Sequence, residues 1–118
     1  MLKYNLDRIF LLRGIENPSV FLMKHGFKDF TAYRFVKKTF TSISPKHLEK
    51  LCLIFNCTPN DLMEWIPDST QTQFETTALR NLIRVSTNSN AAQLIKEVPI
   101  EKMEEFVHKI EEIKKTIL

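Results

Sequence analysis

Between Asn17 and Thr41 the chain gathers side chains suited to a polyanion. Lys28, Arg34, Lys37 and Lys38 are cations, and Asn17, Ser19, Asp29, Thr31, Tyr33, Thr39 and Thr41 supply hydrogen-bonding groups. Lys28 can donate to guanine acceptors, and Arg34 offers a planar fork for guanine or phosphate. Thr31 suits either a thymine methyl or a phosphate. Asp29 can accept from cytosine, and it can equally cap the helix it opens. Tyr33 stands with them in the first turns of that helix. Lys37, Lys38, Thr39 and Thr41 suit the phosphate backbone. So do Asn17 and Ser19, at a helix start whose amides are available to a phosphate. The competing reading of any one of these residues is an ordinary solvated face.

The charge distribution points to the same region. The 118 residues carry a net charge of +3, but residues 1–67 hold ten Lys/Arg against six Asp/Glu. Within 24–50 the count is seven against two, while 68–118 is slightly acidic. A local cationic surface attracts polyanions, and counterion release drives phosphate binding.

The elements that must position these groups follow from spacing and punctuation. Leu6, Ile9 and Phe10 predict a first helix over Asn5–Arg13, stopped by Gly14. Asn17 and Pro18 open a second, carrying Phe21, Leu22 and Met23 and ending before Gly26. A third spans about Asp29–Lys37, with Phe30, Ala32, Phe35 and Val36 as its apolar positions. Gly26 lies between the two where the chain must bend sharply with φ > 0, the layout of a helix-turn-helix. Ser44 and Pro45 start a fourth helix, whose Leu48, Leu51, Cys52 and Phe55 form a buried stripe. Thr58, Pro59 and Asp61 predict a fifth, with Leu62, Met63, Trp65 and Ile66 as its apolar surface and Pro67 as its stop.

Asp68–Gln73 is polar and reads as a linker. Two weaker helices, about Thr77–Val85 and Ala91–Glu97, flank the turn-prone STNSN cluster. A last helix runs from Pro99 to the C-terminus. Its Met103, Phe106, Ile110, Ile113 and Ile117 alternate spacings of three and four, the seam of a short coiled coil. Glu105/Lys109 and Glu111/Lys115 add pairs in the favourable order. No strand is predicted; Phe40–Ile43 is too short to argue a sheet.

The second helix, Gly26, the third helix and SISPKHLEKLCLIFNCTPNDLMEW together resemble a Cro/phage-repressor-type (Xre-like) helix-turn-helix domain over roughly residues 4–67. The tail carries the resemblance most clearly, in Leu48-Glu49-Lys50-Leu51-Cys52 and Asn56-Cys57-Thr58-Pro59-Asn60-Asp61-Leu62. The resemblance implies an all-α fold: a five-helix lambda-repressor-like domain followed by a C-terminal helical extension. It also implies a third helix that reads DNA while the second braces it. Four positions depart from the family pattern. Leu22 replaces a usual alanine and Ala32 a usual β-branched residue, a pair of changes that together conserve volume. His25 stands where an apolar residue is common, and Lys37-Lys38-Thr39 replaces a glycine past the third helix.

The expected division is a DNA-binding domain at 1–67, a linker at 68–76 and a helical, dimerising extension at 77–118. The expected partners are double-stranded DNA and a second copy of the chain. No cofactor, metal or membrane is expected. His47, Cys52 and Cys57 have poor zinc spacing, and Cys52 falls on a core stripe. With two glycines no phosphate loop is possible, and no nucleophile has a positioned base, so catalysis is not expected. No apolar run approaches a membrane span. Asp7 and Arg8 interrupt the apolar N-terminus, so no signal peptide is expected, and two cysteines suit a reducing cytoplasm. The alternative is a helical protein-interaction module such as an antitoxin or adaptor. The last helix has two readings as well: it pairs with a second chain, or it packs on its own domain.

Overall fold

The computed structural model describes residues 1–70, 76–85 and 91–118. The elements in order are β1 (Leu2–Tyr4), α1 (Leu6–Leu12), α2 (Pro18–Lys24), α3 (Asp29–Lys37), α4 (Pro45–Phe55), a 3-10 turn (Pro59–Leu62) and β2 (Met63–Trp65). A second 3-10 turn (Ala78–Leu82), α5 (Ala91–Lys96), a third 3-10 turn (Ile100–Lys102) and α6 (Met103–Ile117) complete the order. The STNSN turn and residues 71–75 of the expected linker lie outside the described residues.

Helices α1, α2 and α4 begin where capping chemistry places them. The side chains of Asn5, Asn17 and Ser44 accept hydrogen bonds from the amides of Arg8, Val20 and His47. Each removes one of the orphan donors of a helix start. The stops of α1–α4 share one device, a residue in the left-handed region: Gly14 (φ 68°), Gly26 (φ 93°), Lys38 (φ 60°) and Asn56 (φ 51°). After α2, Gly26 N–H donates to the Met23 carbonyl at 3.0 Å and Phe27 N–H to the Leu22 carbonyl at 3.0 Å. This paired closure needs φ > 0 at the glycine and brings the apolar residue after it back onto the helix. Phe27 and Leu22 are accordingly both buried. After α4, Arg13 donates from Nε to the Phe55 carbonyl at 3.0 Å, so α1 caps the C-terminus of α4.

The core is one cluster drawn from α1 (Leu6, Ile9, Phe10), α2 (Leu22), the turn (Phe27), α3 (Ala32, Phe35), Ile43, α4 (Leu51, Phe55) and Leu62. Aromatic rings tie its parts together. Phe55 stacks on Phe21 at 5.4 Å and meets the edge of Phe10 at 5.8 Å, and Phe35 meets Phe27 at 5.7 Å. Leu22 and Ala32 both belong to this cluster.

The structure corrects four sequence expectations. The fifth helix is a single 3-10 turn, after which Met63–Trp65 extends as a strand. That strand pairs antiparallel with β1, Leu2 opposite Trp65 and Tyr4 opposite Met63, so a small sheet exists where the sequence predicts none. Asn5 N–H donates to the Leu62 carbonyl at 2.7 Å, and the Met1 amino group donates to the Ile66 carbonyl. The helix expected at Thr77–Val85 is a short 3-10 turn, and Arg84 reaches from its end to the Met63 and Asn60 carbonyls at 3.1 and 2.6 Å. The last helix opens as a 3-10 turn and becomes α-helical only at Met103. The predominantly helical class stands.

Candidate nucleic-acid interface

The inward face of α3 is set by Ala32 and Phe35, buried at 1% and 4% exposure. Helical geometry then turns Phe30, Tyr33, Arg34 and Lys37, at i, i+3, i+4 and i+7, outward as one stripe. All four are exposed. Phe30 is a further correction. Its hydrophobicity places it among the apolar positions of this helix, yet it stands 72% exposed. The Arg34 guanidinium carbon lies 5.8 Å from the centre of its ring, a cation–π contact within α3.

The presentation of α3 rests on the turn before it. Lys50 of α4 extends across that turn, its Nζ 4.7 Å from the Phe27 ring centre. A Cβ on Gly26 would lie 2.7 Å from the same Nζ. Glycine is required here by its backbone angle, whereas the flexible end of Lys50 could move aside for a Cβ. His25, unusual for an apolar position, is exposed and lies against Phe21 with ring centres 4.4 Å apart.

The expected site residues fall into four groups. Lys28 and Asp29 stand at the start of α3, both exposed. Lys28 occupies the cap position and Asp29 is the first helical residue, so Asp29 does not take the capping role open to it by sequence. Its charge still favours the positive end of the helix. Tyr33, Arg34 and Lys37 form the outward stripe, with Thr31 half-buried beside it. Lys38, Thr39 and Thr41 come after the helix and are exposed. Lys38 takes the left-handed angle at the end of α3, and its ammonium pairs with Asp7 at 2.6 Å. Asn17 and Ser19 stand at the start of α2, where the Asn17 side-chain oxygen accepts from Val20 N–H at 3.2 Å.

A family model described as the Cro/C1-type HTH DNA-binding domain matches residues 5–68. The chain belongs to that family. No curated protein and no solved structure matches it. As a Cro/C1-type protein it carries a helix-turn-helix DNA-binding domain of the kind that regulates transcription. The match spans α1–α4, the 3-10 turn and β2.

Sequence reasoning missed three contributors to this surface. Phe30 was legible, because it lies on the opposite side of a helical wheel from Ala32 and Phe35. Asp7 and Lys50 were not, because they come from other elements. The residues weighed for metal have other surroundings. His47 lies edge-on to Phe27 and Phe35, with ring centres 5.6 and 6.0 Å away. The Cys57 pKa is pushed up to about 11 by burial and by its neighbour Cys52, which keeps the thiol protonated at neutral pH. Among the described residues no three His, Cys, Asp or Glu side chains gather around one point. No helix among them is long and apolar enough to cross a membrane.

Proposed function

We propose that the chain is a sequence-specific double-stranded DNA-binding regulator that lays α3 in the major groove. The observation that carries this reading is the outward stripe of Tyr33, Arg34 and Lys37 on a helix whose other face is locked in the core. In this reading Lys28, Asp29, Thr31, Tyr33 and Arg34 face base edges, while Lys37, Lys38, Thr39, Thr41, Asn17 and Ser19 hold phosphates. Lys38 exchanges its exposed Asp7 partner for a phosphate, a change that costs little because a surface ion pair is worth only about 0–1 kcal/mol. Residues 1–67 form the DNA-binding domain, 68–76 the linker and 77–118 a dimerising extension. The protein acts as a cytoplasmic homodimer, without enzymatic activity, cofactor or metal.

The test is fluorescence-anisotropy binding to random duplex DNA across a salt series, with wild type and the triple variant Arg34→Ala/Lys37→Ala/Lys38→Ala. Wild type binds and weakens as salt rises. The triple variant binds less and with a shallower salt slope, since each cation withdrawn from a phosphate lowers the slope by about one unit. Equal binding by the variant, or no binding by wild type at low salt, sends the search to a protein partner instead.

A further inference from the structure

The geometry assigns Phe30 a reading role: its ring contacts the 5-methyl group of a thymine in the major groove, beside the base that Arg34 takes. This rests on the placement of α3 in the groove and names a residue outside the contacts proposed above. A single exposed apolar side chain is ordinary on a protein surface. Phe30 is distinguished by where it stands. At 72% exposure it is the most exposed large apolar residue of α1–α3. It occupies the second position of α3, in the first turn, where recognition helices meet base edges. It shares one stripe with Tyr33, Arg34 and Lys37, and its ring lies against the Arg34 guanidinium.

The floor of the major groove displays hydrogen-bonding groups and one apolar group, the thymine methyl. A phenyl ring brought to that floor can neither donate nor accept. It is accommodated best against a methyl, and worst against an amine or carbonyl whose water it would displace. Phe30 also limits the freedom of Arg34, so the planar fork is presented with less ordering left to complete on binding. A thymine contact next to an arginine contact would confer a two-base preference on this part of the helix.

The test begins with duplexes enriched from a random pool by wild-type protein. Each thymine of the enriched site is replaced by deoxyuridine, one at a time, which removes only the methyl. Affinities are then measured for wild type, Phe30→Ala and Phe30→Leu. Wild type loses about 4-fold at one or two thymines, the value of withdrawing one methyl from apolar contact. Phe30→Ala binds more weakly and no longer distinguishes thymine from uracil there, whereas Phe30→Leu still does. The Trp65 emission of each variant reports that the fold is intact, and the exposure of Phe30 makes an unchanged melting profile the expectation. If Phe30→Ala retains the wild-type uracil penalties, or no thymine matters to wild type, the Phe30 assignment is overturned while the DNA reading survives. If wild type enriches no site and shows no salt-dependent binding, the placement of α3 fails first and the assignment with it.

Discussion

Lys38 ends α3 in the left-handed backbone region that glycine adopts most readily. A side chain in the left-handed region costs roughly 1–2 kcal/mol relative to glycine. Asn56, at the end of α4, tolerates the same angle better because its short polar side chain can hydrogen-bond locally. Lys38 has a partial offset in Asp7, but that pair is solvent-exposed and worth about 0–1 kcal/mol. Lys38→Gly should therefore stabilise the protein by up to about 1 kcal/mol, seen as a rise of a few degrees in the circular-dichroism melting midpoint. A lower midpoint would mean that the Asp7 pair outweighs the backbone strain. The same variant should bind DNA less well if Lys38 holds a phosphate. Retaining a lysine against its backbone preference fits a functional role at this position.

The fifth element shows how far local signals reach. Thr58, Pro59 and Asp61 mark a helix start, and one turn does form there, held by Thr58 N–H donating to Asp61 Oδ2 at 2.9 Å. The conformation of Met63–Trp65 is decided by β1, some sixty residues away. Pairing with Leu2–Tyr4 holds Met63–Trp65 extended, and Trp65 is buried at 2% exposure. A local pattern holds no record of such a partner, so a short apolar run reads equally well as helix or strand. Asp61 joins the turn to α1, because the amide bond from Thr58 and the nearby Arg8 both favour its charged form. Its pKa is lowered, first by the Thr58 amide. A depressed carboxylate stabilises the fold above its ordinary pKa and loses that contribution as pH falls through the folded value. Asp61→Asn should therefore be less stable than wild type near neutrality, and the difference should shrink as the pH is taken below about 4. Chemical denaturation followed by Trp65 emission measures both. A difference that stays constant with pH would show that the Asp61 charge is not what holds the turn.

At the scale of the whole molecule the C-terminal part is the least enclosed. The radius of gyration is 17.2 Å, against about 13.5 Å for a compact chain of this length. No side chain of α6 is buried. Ile110 is 41% exposed and Ile113 57%, on the face that carries the heptad-like seam. The first two seam residues, Met103 and Phe106, are half-buried, and the exposed part of the seam begins at Ile110; in the proposed dimer a second copy of the chain covers it. Two recognition helices in such a dimer would read half-sites about 34 Å apart. Ile110→Asp/Ile113→Asp should shift the protein from dimer to monomer in sedimentation equilibrium and leave the melting of the N-terminal domain unchanged. A wild type that is monomeric at tens of micromolar would remove the dimer from the proposed function without touching the contacts of α3.

The sequence by itself determined the starts of α1, α2 and α4, the glycine turn and the limits of α3. It did so because caps, prolines and left-handed glycines act within a few residues along the chain. The outward direction of Arg34 and Lys37 follows from the helical period once α3 is placed, whereas Lys38 lies past the helix end. The tertiary structure decided what depends on distant partners: the pairing of β1 with β2, Lys50 over the Gly26 turn, and Asp7 on Lys38. The place of Phe30 was legible in the sequence from its angular position on α3, although its hydrophobicity suggested the core. Burial is decided by the direction a side chain faces in the assembled fold, and an amino-acid type alone does not carry that direction.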